Sequence, residues 1–162
     1  MNYIFLDIDG VLNNFGTIIA YGNPSRYFDP VSVRLIERLA DQGSASIVVS
    51  SSWRTGDTER LRKELLQRTR SKALVGWIVD ETPDISGARR GEEIQVWLDH
   101  HPVQRYVIVD DDSDMLPGQN FVQTSMEDGF RYRHYVEALR YLEPEHVDCM
   151  RPFTAQPEQE KS

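Results

Sequence analysis

The sequence is poor in the residues that staple or anchor a chain. Cys149 stands alone, so no internal disulfide can form, and a reducing cytoplasm is the simplest expected setting. No apolar run approaches the roughly 18 residues of a membrane span. The first apolar run breaks off at Asp7, too early for a signal peptide, so no membrane partner is expected. Positive charge is scarce as well: 18 Lys and Arg face 26 Asp and Glu, a net charge of −8. Passive binding along a nucleic-acid backbone needs the opposite balance. A bound cation could still let so acidic a chain grip a single phosphate. His100, His101, His134 and His146 form no ligand spacing with a cysteine or an acid and read as surface residues.

What the sequence does have is alternation. Its 162 residues suit one domain with a substantial core, expected over 1–148, while 149–162 lacks an apolar period and reads as a disordered tail. YIFL before Asp7, SIVVS at 46–50, LVGWIV at 74–79, YVIV at 106–109 and FVQT at 121–124 read as strands. Between them, Val31, Leu35, Ile36 and Leu39 recur at helical spacing after Asp29-Pro30, and Gly43 can end that helix. Leu61 and Leu65 mark a short helix. Ile94, Trp97 and Leu98 mark another over 91–100, and Tyr135, Leu139 and Leu142 a last one. Strands alternating with helices predict a three-layer, Rossmann-like α/β fold: an open sheet of about five mainly parallel strands, covered on both faces.

In such sheets ligands collect at the carboxyl ends of the strands. Three runs deliver polar groups there: Asp7 and Asp9 after the first, Ser50 to Arg54 after the second, Asp110 to Asp112 after the fourth. Extended residues i and i+2 face the same way, so Asp7 and Asp9 can share one pocket. With Asp110 and Asp111 added, repulsion would be severe unless a hard divalent cation intervened, and Mg²⁺ suits oxygen ligands and a phosphate. Gly10 permits the sharp turn and close approach of a ligand. The chemistry that fits is phosphoryl transfer through an aspartyl phosphate. Asp7 would attack phosphorus, and Asp9 would protonate the leaving oxygen. Ser51 would bond a phosphoryl oxygen, and Arg90 would stabilise the equatorial oxygens.

DIDGVLN resembles motif I of the haloacid dehalogenase (HAD) superfamily, whose form is DxDGxL. VVSSSWR, RRGEEI and VIVDDDSD follow in the order of that superfamily's other motifs. Narrower still, SSWR, RGEEIxxWL and YVIVDDD resemble the HAD domains of "Swiss Army Knife" RNA-repair proteins, over about residues 3 to 142. The resemblance implies Asp7 as nucleophile and Asp9 as acid/base, with the Asp9 backbone carbonyl a Mg²⁺ ligand. It implies Asp110 as the metal-ligating acid, with Asp111 or Asp114 assisting. Ser51 matches the phosphate-binding hydroxyl with Ser50 as rival, and Arg90 the basic position with Arg89 as rival. Serine replaces the more usual threonine, and arginine the lysine. Gly10, Ser50, Ser52 and Arg54 are the expected substrate-binding neighbours.

The intervals 14–50 and 55–89 leave no room for a large cap domain. An open site points to a large phosphorylated substrate, an RNA or DNA end being weakly favoured over a protein. Trp53 offers a face for a base of such an end, though packing against a neighbouring loop is the simpler role. Arg54 would hold either a substrate phosphate or an acid of the pocket. Glu92 and Glu93 suit a helix's first turn without any further role. Two other functions compete with a phosphatase. One is a non-catalytic module that binds phosphorylated ends or partners. The other is a receiver-like domain phosphorylated at Asp80, for which Gln123-Thr124 supplies no lysine.

Overall fold

The computed structural model describes residues 1–21 and 28–143, so the expected tail at 149–162 lies outside the described residues. In chain order the elements are β1 (Asn2–Leu6), α1 (Phe15–Tyr21), α2 (Pro30–Gln42), β2 (Ala45–Val49), α3 (Thr58–Thr69) and α4 (Lys72–Trp77). There follow β3 (Ile78–Glu81), α5 (Arg90–Asp99), β4 (Arg105–Asp110), β5 (Phe121–Gln123) and α6 (Tyr132–Leu142). The five strands form one sheet in the order β3-β2-β1-β4-β5, and every pairing is parallel. The chain therefore runs outward from β1 on one side, then returns to extend the sheet on the other. That reversal puts a topological switch point between β1 and β4, where such sheets open a crevice.

Alternation along each strand divides the core in two. Ile4 and Leu6 of β1, Ile47 and Val49 of β2, and Val107 and Val109 of β4 face one cluster, with Ile36 and Leu39 of α2, Leu61 and Leu65 of α3, and Leu139 and Leu142 of α6. Tyr3, Phe5, Val48 and Ile108 face the other, covered by Ile94 and Trp97 of α5. Trp97 meets Tyr3 and Phe5 edge-on, with ring centroids 4.9 and 5.3 Å away. Edge-on contact is the favourable geometry for aromatic pairs. The sheet is thus covered on both faces, as the three-layer pattern predicts.

Two elements differ from the sequence reading. Residues 74–79 are not a strand throughout: α4 ends at Trp77, and only Ile78 onward joins the sheet. The Ser71 hydroxyl accepts from the Leu74 N–H and caps a helical turn, which an apolar run this short cannot advertise. The second is α1, which buries no residue and so carries no apolar stripe to read. Among the described residues, α1, α2 and β2 fill the first interval and α3, α4 and β3 the second, with no cap domain. No described helix is long and apolar enough to cross a membrane.

Candidate active site

The site grows from the ends of three adjacent strands. Asp7 follows β1, its N–H still bonded to the Val109 carbonyl at 3.0 Å. Ser50 follows β2 and donates its N–H to the Leu6 carbonyl at 3.0 Å. Asp110 closes β4, its carbonyl accepting from the Thr124 N–H at 2.9 Å. Because β1 lies between β2 and β4, Asp7 sits centrally, with the serines on one side and Asp110 and Asp111 on the other.

One carboxylate oxygen from each of Asp7, Asp110 and Asp111 lies within 4.8 Å of the other two. Asp7 and Asp110 are buried, and Asp111 is half-buried. Burial pushes the Asp7 carboxyl up to about 7, against the pull of the Ser51 hydroxyl and the Arg90 charge. Burial first, and then the Asp7 charge, pushes Asp110 up to about 8. Burial and the Asp112 charge also raise Asp111. Arg90 opposes the Asp7 and Asp110 shifts, with its Nε 3.7 Å from Asp110 Oδ2, but it does not outweigh desolvation and repulsion.

The donor set fits a hard divalent ion. Asp110 Oδ2 is buried without a hydrogen bond, an expensive state for a carboxylate oxygen unless it serves as a ligand. All the converging atoms are oxygens, as Mg²⁺ prefers. Gly10 makes the crowding possible. Its φ is +69°, and a Cβ there would lie 2.4 Å from Asp111 Cγ and Oδ2.

A pH-dependent stability follows from the raised carboxyls. Each keeps its proton longer folded than unfolded, where its value is 3.8. Stability is therefore full below about pH 4 and is lost as pH rises through the folded values of about 7 and 8. Metal-free protein should melt at falling temperature across that window. Mg²⁺ near a hundred times its Kd should raise Tm by roughly 5–10 °C at pH 8.5 and little at pH 5. Thermal melts in chelator and in Mg²⁺ check this; equal rises at both pH values would contradict it.

The remaining predicted residues separate into those that face the cluster and those that do not. Ser51 lies beside Asp7, whereas the Ser50 hydroxyl is buried without a hydrogen-bond partner and the Ser52 side is exposed. Arg90 reaches Asp110, while Arg89 pairs outward with Glu92 at 3.1 Å and caps α5. Asp114 turns back to α5, its Oδ2 accepting from the Arg90 N–H at 3.0 Å. Asp112 donates its N–H to Asp110 Oδ1 at 2.9 Å. The Asp9 carboxylate is not one of the three that converge. It accepts from Asn13 Nδ2 at 2.6 Å and from Trp53 Nε1 at 2.8 Å.

Arg54 is committed internally, donating to Thr82 Oγ1, the Pro83 carbonyl and Glu93. Its acidic partner is Glu93, whose Oε2 lies 2.8 Å from Arg54 and 3.4 Å from Arg90. Glu93 thus does more than suit a helix's first turn. It is buried and bridges both arginines; the Arg90 pair is an i,i+3 contact on α5, but sequence spacing does not reveal the pair with Arg54, 39 residues away. Asp80 stands on the edge strand β3 and accepts from Trp97 Nε1 at 2.7 Å. The receiver-like reading needs its acceptor in the central crevice, and that place belongs to Asp7.

With this geometry in place, the sequence matches the family described as the HAD domain in Swiss Army Knife RNA repair proteins, over residues 3–135. The chain belongs to that family. Comparisons with curated proteins and with solved structures gave no match. Membership supports a phosphatase-like role for this HAD domain, and the superfamily typically uses Mg²⁺.

Proposed function

We propose that the protein is a Mg²⁺-dependent phosphomonoesterase that works through an aspartyl phosphate on Asp7. The observation that carries this reading is the seat of Asp7: the end of the central strand, between the Ser51 hydroxyl and the Asp110–Arg90 pair. Asp7, Asp110 and Asp111 would hold the ion, with the Asp9 carbonyl in the role the family implies. When bound, Mg²⁺ supplies charge that offsets the acids and the incoming phosphate.

The protein's own groups then have distinct tasks. Asp7 Oδ attacks phosphorus as the bond to the leaving oxygen breaks. Asp9 gives that oxygen a proton and later takes one from the water that cleaves the acyl phosphate. Ser51 and Arg90 donate to the equatorial phosphoryl oxygens, where charge is held in the transition state. Glu93 keeps Arg90 and Arg54 in place. Arg90→Ala should therefore lower kcat/KM on the order of 10²-fold. Arg89→Ala should change it little, and steady-state kinetics on the pair decides between them.

The lack of a cap domain among the described residues favours a phosphate carried on a large molecule, and the family description favours a nucleic-acid end, RNA first. The lone Cys149 is compatible with a cytoplasmic setting. The test is phosphate release, with and without Mg²⁺, from a panel of substrates. It would hold an aryl phosphate, 3′- and 5′-phosphorylated RNA and DNA oligonucleotides, a phosphopeptide and several sugar phosphates. Metal-dependent release, fastest from an oligonucleotide end, is expected. Tight binding without release would instead favour the non-catalytic module.

A further inference from the structure

Trp53 lies outside the metal cluster, yet its indole N–H ends on a catalytic atom. Nε1 donates to Asp9 Oδ2 at 2.8 Å, across 44 residues of sequence. The ring is itself held from two sides. Phe28 meets it edge-on at 5.6 Å between centroids, and the Arg68 guanidinium lies over it, 4.7 Å from the ring centroid. Arg68 Nε is buried with no hydrogen bond, and no described carboxylate forms an ion pair with Arg68. Its place is explained by the ring rather than by an acid. The other Asp9 oxygen is fixed just as firmly. Asn13 Oδ1 accepts from the Gly10 N–H at 3.0 Å, which leaves Asn13 Nδ2 to donate to Asp9 Oδ1 at 2.6 Å.

We propose that Trp53, braced by Phe28 and Arg68, is a positioning residue that together with Asn13 fixes the Asp9 carboxylate for proton transfer to the leaving group. The donor geometry supports this. An indole N–H can only donate, so it engages one lone pair of Oδ2, and the amide engages one of Oδ1. The proton that Asp9 delivers must then travel from one of the lone pairs still free, which narrows its direction. In the step itself, Asp7 Oδ bonds to phosphorus, the bond from phosphorus to the leaving oxygen breaks with its electron pair, and that oxygen takes the Asp9 proton. The inference rests on the phosphatase reading.

The test is Trp53→Phe, which keeps an aromatic ring near Phe28 and Arg68 while removing the N–H donor along with the five-membered ring. Misplacing an acid hurts poor leaving groups most. kcat/KM for an alkyl phosphate should fall about tenfold or more, and that for dinitrophenyl phosphate, which needs little protonation, by under about threefold. An equal fall on both substrates, or no fall on either, would overturn the proposal. A second readout is independent of activity. The Trp53 indole N–H resonance, assigned by its loss in Trp53→Phe, should shift in Asp9→Ala; an unmoved resonance overturns the proposal by itself. A shifted resonance in a wild type that releases no phosphate overturns the phosphatase reading, and the positioning role with it, leaving only a structural hydrogen bond.

Discussion

Asp7→Asn should abolish Mg²⁺-dependent phosphate release, by about 10⁴-fold or more, while leaving a stable fold. An amide cannot replace the attacking carboxylate, and Asp7 is the acid that directly follows the central strand. The variant should not unfold, because it removes one of the charges that raise Asp110. Its metal-free Tm at pH 8.5 should equal or exceed that of the wild type. Loss of activity with a preserved melting curve separates a missing nucleophile from a damaged core. Activity within tenfold of the wild type would mean that the attacking group lies elsewhere.

Asp110→Asn should move stability and activity in opposite directions. Asp110 is buried with one oxygen that accepts no hydrogen bond, and its carboxyl is raised by burial and by Asp7. Neutralising it removes a charge the metal-free fold tolerates poorly, so Tm in chelator at pH 8.5 should rise by about 3 °C or more. The same change removes a ligand of the ion. The Mg²⁺-induced rise in Tm should shrink sharply, and kcat/KM should fall on the order of 10²-fold or more. Paired melts with and without Mg²⁺, alongside kinetics, read all three effects. A metal-free variant less stable than the wild type would show that Asp110 acts as a structural acid held by Arg90 rather than as a ligand in waiting.

Much of the fold is legible because β1, β2 and β4 end within a residue of where their apolar runs end. Residues 4–6, 47–49 and 107–109 are apolar and buried, and chemistry begins at the next residue or two. The helices α2, α3, α5 and α6 announce themselves through the apolar side chains they lay on the sheet. The misread segment, 74–79, is an apolar run too short to separate a buried helical turn from a strand. The helix α1 buries nothing, so no periodicity betrays it. Within the site, the acids, Ser51 and Arg90 show in the sequence because each sits at or just past the end of an element, Arg90 at the start of one. Asn13, Glu93 and the N–H of Trp53 are different. Their roles depend on which side chains the fold brings together, and the Trp53 and Glu93 contacts span 44 and 39 residues. Trp53 could as well have offered its face to a base; in the fold that face is taken by Arg68 and its edge by Asp9.

The central claim is that a phosphoryl group passes through the Asp7 carboxylate. Turnover with the best substrate of the panel can be stopped with acid and the protein treated with borohydride, which reduces an acyl phosphate to the alcohol. Peptide mass spectrometry then reads which aspartate has become homoserine. The account predicts homoserine at position 7, dependent on Mg²⁺ and on substrate. Homoserine at Asp80 or any other position, or none while turnover proceeds, would contradict it.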